Sequence, residues 1–435
     1  MTTPAGPTTR TRLPGRTWLV VVLLGLSGQI AWNVENSWLN TFVFDEITPD
    51  PRPIAVMVAV SAIVATVTTL VMGNASDRLG RRKPFILVGY IAWALTTAAF
   101  PVASWTDAVA VGVFLVIALD ALMTFFGSSA NDATFNAWVT DVTGPGNRGR
   151  VEGVLQVMPV LATAIGMGLS GLMIERFGYA TFFGLLGGLV LLMGLVGGLM
   201  LRESPHLAPA PGGAGLREVV GRILSSEERR ERRQLYLVFA AMAIFGIAVQ
   251  VTFPYELIYL ERHAGVSKAT AGVIAAMVAP VLLLLALPVG WLTDRGHGRA
   301  VLLVGYPVAA VGTVLFASTT SIVWLAVFAM VKSVGFLMAV VLMAWHRNLL
   351  PTDARGAYQG VRMVFTVLLP MTIGPALGAT VTGLFGASVV VGQNVGTAPP
   401  PSIYWWSAAV MLVTLVPVLL LRPSAVAAGS QPTRP

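Results

Sequence analysis

The sequence predicts an all-α membrane protein, with twelve transmembrane helices arranged as two six-helix pseudo-repeats. Three observations carry this. The 435 residues are 55% hydrophobic and only 11% charged, where a soluble domain carries about 25% charge, and the mean hydropathy is +0.77. Apolar runs of roughly 20 residues, the length a helix needs to cross a bilayer, recur along the whole chain. Patterns of the first half also return in the second. Gly73-x-x-x-Asp77-Arg78 comes back as Gly290-x-x-x-Asp294-Arg295. Trp138, followed by Arg148-Gly149 and Gly153-Val154, comes back as Trp345, followed at the same spacing by Arg355-Gly356 and Gly360-Val361.

The predicted spans are 17–43, 54–72, 84–104, 108–137, 151–174, 180–201, 235–260, 269–292, 300–318, 321–346, 357–385 and 403–422. They divide the chain into a tail (1–16), a first six-helix half (17–201), a linker (202–234), a second half (235–422) and a second tail (423–435). Of the 28 Lys and Arg, about 22 fall in the tails and alternate loops, about four in the opposite loops, and Lys332 and Arg362 within spans. That asymmetry marks the cytoplasmic side, so both termini are expected there, in a multi-pass protein of the cell membrane. It also accounts for the net charge of +8 without nucleic acid. With no cysteine in the chain, disulfides, thiolate metal sites and cysteine nucleophiles are excluded.

Taken in order, Arg10, Arg12 and Arg16 precede an apolar run from Trp18 that is too long for a signal peptide and reads as an uncleaved first helix. On that span Gln29, Asn33, Asn36 and Asn40 share one helical face, with Gly28, Trp32 and Glu35 on the adjoining stripe. Amides that donate and accept, an acid and a flat indole suit a polyhydroxylated ligand. Gln29, Trp32, Asn33, Asn36 and Asn40 are therefore candidate substrate contacts; helix–helix hydrogen bonding is the competing reading. Loop 44–53 is acidic and turn-rich.

The second and third spans meet at Gly73 to Pro84, where Arg78, Arg81, Arg82 and Lys83 make a tight basic turn. Gly73 permits close helix approach and Gly80 a positive φ, and Asp77 and Arg78 are placed to pair with one another or with a neighbouring helix terminus. On span 4, Asp120, Thr124, Ser128 and Asn131 follow helical spacing, with Asp132 and Asn136 beside them. A carboxyl at mid-membrane is placed to take up and release a proton. Asp120 and Glu35 are thus the candidate coupling acids, and Asn131 a candidate substrate contact.

The linker opens with a Pro- and Gly-rich stretch. Leu216, Val219, Val220, Ile223 and Leu224 then recur at helical spacing among charges, which reads as an interfacial helix or as a solvated charged segment. In the second half Lys332 is a lone cation on span 10, able to neutralise Asp120 or Glu35 or to attract substrate. Glu256 follows Pro254-Tyr255 near the outer end of span 7, at a rim or in a cavity. Spans 1, 4, 7 and 10 hold the acids and the lysine and should line a central path; spans 3, 6, 9 and 12 should face lipid. Residues 386–402 are rich in Gly and Pro and read as a mobile loop. Tyr404, Trp405 and Trp406 read as an interfacial aromatic belt.

The pattern G-x-x-x-D-R-x-G-R-R-K after the second span resembles the loop 2–3 signature of the major facilitator superfamily. The resemblance implies two six-helix bundles rocking about a central site. Gly73, Asp77, Arg78, Gly80, Arg81, Asp141, Arg148, Asp294, Arg295 and Arg355 then become candidates for a cytoplasmic gate that holds the outward-open state. Gly80-Arg81-Arg82-Lys83-Pro84-Phe85-Ile86 and Ala137-Trp138-Val139-Thr140-Asp141-Val142 resemble the glycoside–pentoside–hexuronide:cation symporters and the related proton-coupled sucrose transporters. In that family acids on spans 1 and 4 bind sugar or cation, which carries over to Glu35 and Asp120. Sodium-coupled members pair acids on span 2, and 54–72 holds none, which favours protons. The expected function is proton-coupled symport of a sugar or glycoside by a monomer, with no metal or cofactor. The alternative is a drug or metabolite:proton antiporter. Those carry Gly-Pro in span 5, whereas here Gly374-Pro375 lies in span 11. A receptor on the same fold is a third class. An enzyme is not expected, since neither G-x-x-x-x-G-K-[ST] nor H-x-x-x-H occurs.

Overall fold

A computed structural model describes residues 13–144, 147–205, 207–209, 215–350 and 355–422. Most of the first tail, with Arg10 and Arg12, and the whole of 423–435 lie outside the described residues. Among the described residues, ten helical stretches are long and apolar enough to cross a bilayer. Two of them, Arg148–Met200 with 53 residues and Lys268–Phe316 with 49, would be about 75–80 Å long if straight, against a hydrocarbon core of about 30 Å. Each turns back at a glycine in the left-handed half of φ space, Gly178 at 76° and Gly296 at 84°, where a Cβ would be strained.

Twelve crossings result. In the first half they are α1 (Gly15–Ile47), α2 (Pro51–Leu79), α3 (Lys83–Ser104), α4 (Val109–Val142), α5 (148–177) and α6 (179–200). In the second they are α7 (Arg233–Arg262), α8 (268–292), α9 (Gly298–Phe316), α10 (Ile322–Leu349), α11 (Tyr358–Phe385) and α12 (Ser402–Leu420). The even count puts residues 13 and 422 on one face. That face also carries the Arg78–Lys83 turn and the linker, and is called the basic face below; the other is the far face.

Local chemistry sets the ends. Asp50 accepts the backbone N–H of Arg52 at 2.9 Å and Pro51 follows it, an N-cap and first-turn proline that start α2. Gly80, at φ 59°, ends it in the left-handed conformation. Helix α1 is interrupted at Asn36-Ser37, between Gly15–Glu35 and Trp38–Phe42. Helix α4 widens into a π-helical stretch over Ser128–Phe135, a form that recurs where side chains are re-aimed at functional positions.

The apolar core joins the halves unequally. One cluster runs through the first half and takes in the far-face ends of the second, among them Val251, Tyr255, Leu257, Ala271, Ile274 and Tyr404. The basic side of the second half has a separate cluster around Phe239, Tyr306, Leu337 and Trp345. The halves are thus fused at the far face.

Two expectations change here. Residues 386–402 do not read as a loose loop. They hold an antiparallel hairpin, β1 (Ala387–Val391) and β2 (Asn394–Ala398), closed by two residues with Gly392 at φ 60°, as a tight hairpin turn requires. The linker forms the helices Leu216–Leu224 and Ser226–Glu231. Val219 is fully buried while Leu224 is largely exposed. Glu228 pairs with Arg222 at 2.9 Å and accepts from the Tyr358 hydroxyl of α11. The segment is therefore docked on protein along one side.

Candidate functional site

Between the halves lies a cavity of about 250 Å³. From the first half it takes Asn33 and Ser37 of α1 and Pro159, Val160, Thr163 and Met167 of α5. From the second it takes residues of α7, α8 and α10, with Thr313 of α9 and Ser407 and Met411 of α12. The predicted rule of three is corrected in part. Helices α1, α7 and α10 line the path, but so do α5, α8, α12 and, through Thr313, α9, and α4 contributes nothing to the lining. The polar groups of α4 close on α1, α2 and α3 inside their own half instead.

The charges fall into two clusters. On the cavity, the Lys332 ammonium pairs with the Glu256 carboxylate, and it lies 4.4 Å over the Phe316 ring and 5.6 Å over the Tyr404 ring. This settles two open points. Lys332 neutralises Glu256, not Asp120 or Glu35, and Glu256 lines the cavity. The tightened turn Phe253–Tyr255 at Pro254 precedes Glu256 and accompanies that placement.

The second cluster is buried in the first half. The Thr124 hydroxyl lies 3.2 Å from Glu35 Oε1 and 3.2 Å from Ser61 Oγ, and Ser61 donates to Asp120 Oδ2. Glu35 and Asp120 are thus linked through the Thr124 and Ser61 hydroxyls, and both side chains are buried. Glu35 Oε2 and Asp120 Oδ1 are enclosed with no donor, and no cation pairs with either acid among the described residues. Protonation of either acid would relieve the burial of two uncompensated carboxylates. Asp132 stands a little further along α4, accepting from Ser128 at 3.1 Å.

The predicted amide face divides. Asn33 reaches the cavity. Its Nδ2 donates to Thr163 Oγ1 at 2.9 Å, and its enclosed Oδ1 has no partner. Asn36 and Asn40 turn back instead, donating to Trp32 O at 2.8 Å and Asn36 O at 2.9 Å. Trp32 O also accepts the backbone N–H of Asn36 at 3.1 Å, whereas the Asn40 backbone N–H goes to Ser37 O, so the Asn40 amide takes over the Asn36 carbonyl at the interruption. Trp32 packs on Trp93 at 4.9 Å, Asn131 accepts from Tyr90 at 3.2 Å, and Gln29 is half-buried on α1.

On the basic face, Arg82 is the centre of the network. It pairs with Asp77 at 2.6 Å and Asp141 at 3.0 Å and donates to Ser76. Burial opposes the charge of its guanidinium, but the hydrogen bonds it donates to Asp141 and Asp77 raise its pKa above the ordinary arginine value. Glu203, beyond α6, accepts from the backbone N–H groups of Arg82 and Lys83 at 2.9 and 2.8 Å. Arg148 ties the start of α5 to the Thr140 and Thr143 carbonyls. All of these contacts lie within one half. Gly73 sits beside Ala133. Arg78, Arg81 and Asp294 are exposed, Arg295 lies over Trp291 at 3.7 Å, and the Arg355 side chain is not among those described.

The far face holds residues that the sequence reading passed over. Asp45 of α1 binds Arg262 at 2.6 Å and Lys268 at 2.5 Å, both from the other half, and accepts from Tyr179 at 2.8 Å. Lys268 also pairs with Glu261. A Cβ on Gly171 would fall 2.2 Å from Lys268 O, and one on Gly272 would fall 2.3 Å from Met167 O, so α5 and α8 touch backbone to backbone. The hairpin adds Thr397 N–H to Pro49 O at 3.1 Å and Asn394 to Ile47 O at 3.2 Å. The acidity of loop 44–53 was visible; the partners of Asp45, 134 to 223 residues away, were not. The cavity therefore lies on the basic side of a sealed far face.

The sequence model described as Major Facilitator Superfamily matches residues 17–255 and again 238–435. The "Sugar efflux transporter A" of Dickeya chrysanthemi is 26% identical over 304 residues, covering 68% of this chain and 71% of that one. The "Multidrug efflux pump LfrA" of Mycolicibacterium smegmatis is 26% identical over 210 residues, 47% of this chain and 40% of that one. Among solved structures, a D-xylose-proton symporter superposes with a TM-score of 0.70 at 11% identity, over 96% of this chain and 100% of that one. An inward-facing, occupied bacterial homologue of the human lysosomal transporter Spinster gives 0.67 at 14%, over 96% and 97%. The structural likeness shows the fold. With two six-helix halves about a central cavity, and a sequence match that covers both of them, the chain belongs to the major facilitator superfamily, a family of membrane transporters and not of enzymes.

Proposed function

We propose that the protein is a proton-coupled symporter of a small neutral solute with hydroxyl groups, a sugar or glycoside, working by alternating access in the cell membrane as a monomer. The basic face is the cytoplasmic one, by the excess of Lys and Arg there, so this state opens inward. The observation that carries the reading is the separation of charge. The cavity's two charged groups, Glu256 and Lys332, neutralise each other, which suits a neutral solute better than a cationic drug. Asn33 and Thr163 offer an amide and a hydroxyl on one wall. The apolar side chains of α5, α7 and α8 opposite suit the C–H face of a sugar or an apolar aglycone.

Proton coupling belongs to Glu35 and Asp120. They lie off the cavity, so proton and solute can be bound together, as symport requires; in antiport the two compete, most simply for one shared site. Glu35 adjoins the interruption that carries Ser37, which lines the cavity, so α1 links the two sites.

A second reading is export in exchange for protons; its direction is favoured by the two relatives, both named for efflux. One experiment separates them. Purified protein is reconstituted into vesicles holding a pH dye, and a panel of sugars and glycosides is added outside. Symport acidifies the lumen as solute enters, and the signal needs Glu35 and Asp120. Exchange makes the lumen alkaline. No pH change with any of the solutes overturns the proposal.

A further inference from the structure

On the outer side of the first half, away from the central cavity, α2, α3 and α4 leave a groove of about 510 Å³. Its walls are almost wholly apolar: Leu79 from α2, Phe85 and Val88 from α3, and Phe125 and Phe126 from α4, with Arg81 at the basic-face end. Leu79 and Val88 are each more than 60% exposed, so the groove opens sideways, at the depth where acyl chains lie.

The basic turn above it divides its cations. Arg82 is bound by Asp77 and Asp141. Lys83 donates to the carbonyls of Leu199 and Leu201 at 3.0 and 3.1 Å. Arg81 is exposed and has no carboxylate partner among the described residues, and no acid lines the groove.

We infer that this groove is a binding site for one anionic phospholipid, its acyl chain along Phe85, Val88 and Phe125 and its headgroup phosphate on Arg81. The chemistry selects the ligand. Apolar walls open to the bilayer exclude a free phosphate or a sugar. A cation without an acid beside it favours a net-negative headgroup, since a zwitterionic lipid would bring an ammonium with nothing in the groove to receive it. The site does not depend on the transport reading. It also gives Arg81 a role apart from the gate.

The test is native mass spectrometry of the full-length protein, released from micelles doped separately with dioleoyl phosphatidylglycerol, phosphatidylethanolamine or phosphatidylcholine. The wild type should retain one phosphatidylglycerol and neither of the others. One screened cation at a membrane surface is worth about 1 kcal/mol, so Arg81→Gln should weaken retention about five-fold. Arg78→Gln should leave it unchanged. Val88→Trp, a change on an exposed side chain, should lose the lipid with Arg81 still in place. Unaltered melting temperatures identify folded variants. Equal retention of phosphatidylcholine, or wild-type retention by either Arg81→Gln or Val88→Trp, would overturn the site.

Discussion

The two halves bury charge in opposite ways. The second half sets Lys332 against Glu256 on the cavity wall, where each ion meets its opposite. The first half buries Glu35 and Asp120 together away from the cavity, with hydroxyls around them and no cation paired with either among the described residues. A buried ion pair is closed chemistry: it needs no further ligand, and breaking it is costly. Two buried acids on one hydroxyl network are open chemistry, because burying both as anions is costly and a proton or another cation relieves that cost. The same fold unit thus appears once with a neutralised pair on the cavity wall and once with two acids enclosed among hydroxyls.

The sharpest way to break this contrast is to remove the proton's place. In Glu35→Gln or Asp120→Asn, uphill accumulation should fall to background. Solute exchange between equilibrated pools, which needs no net proton movement, should stay within about two-fold of the wild type, because the cavity lining is untouched. Full uphill transport in both variants would remove the acids from coupling. Loss of exchange as well would show that they support the cavity instead.

The complementary change leaves the second half with an unpaired acid. Lys332→Met should cost up to about 3 kcal/mol, the lower end of the penalty for stranding one member of a buried pair because the pair is only part-buried on the cavity wall, and appear as a drop in melting temperature. Adding Glu256→Gln should restore most of it. If Lys332→Met melts like the wild type, the pair is not a closed unit and the contrast between the halves fails.

How much of this was legible beforehand follows from what a sequence encodes. Apolar length, basic turns and the repeated Gly-x-x-x-Asp-Arg gave twelve spans and two halves, because each is a local property. Helical spacing placed Glu35 and Asp120 on polar faces, and they do meet. Spacing says which face a side chain occupies, but not what stands opposite. Glu256 and Lys332 are 76 residues apart, and Asp45 is 217 and 223 residues from its partners, so only the fold pairs them. The amide face of α1 misled for another reason. Its periodicity assumes an unbroken helix, and the interruption at Asn36-Ser37 turns Asn36 and Asn40 toward their own backbone.

A smaller effect is expected at the far face, where the contrast becomes one between states. Asp45→Asn keeps the shape but removes the charge that holds Arg262 and Lys268; a hydrogen bond to a charged group contributes about 1.5–3 kcal/mol, and the hairpin and the α5–α8 contact remain. The seal should open more often, by about ten-fold. The chain has no cysteine, so a single Thr163→Cys reporter in the cavity can be read by an impermeant maleimide from the far side. Labelling unchanged by Asp45→Asn would mean that backbone packing at Gly171 and Gly272 closes this face alone.

The smallest effect belongs to Asp77. In this state its bond to Arg82 lies inside one half, its side chain is about one-third exposed, and Arg82 keeps Asp141, so the bond contributes about 0.2–1 kcal/mol. Asp77→Asn should therefore slow turnover only a few-fold and leave solute affinity unchanged, through a shift in the balance between the two states. The repeat supplies the control. Asp294 occupies the matching position in the second half but is exposed, and its neighbour Arg295 lies on Trp291, so Asp294→Asn should change turnover less. Equal slowing by both would mean that the loops act as a symmetric pair in the outward-open state. Unchanged turnover in Asp77→Asn would take the first loop out of the conformational cycle and leave its charges a purely structural role.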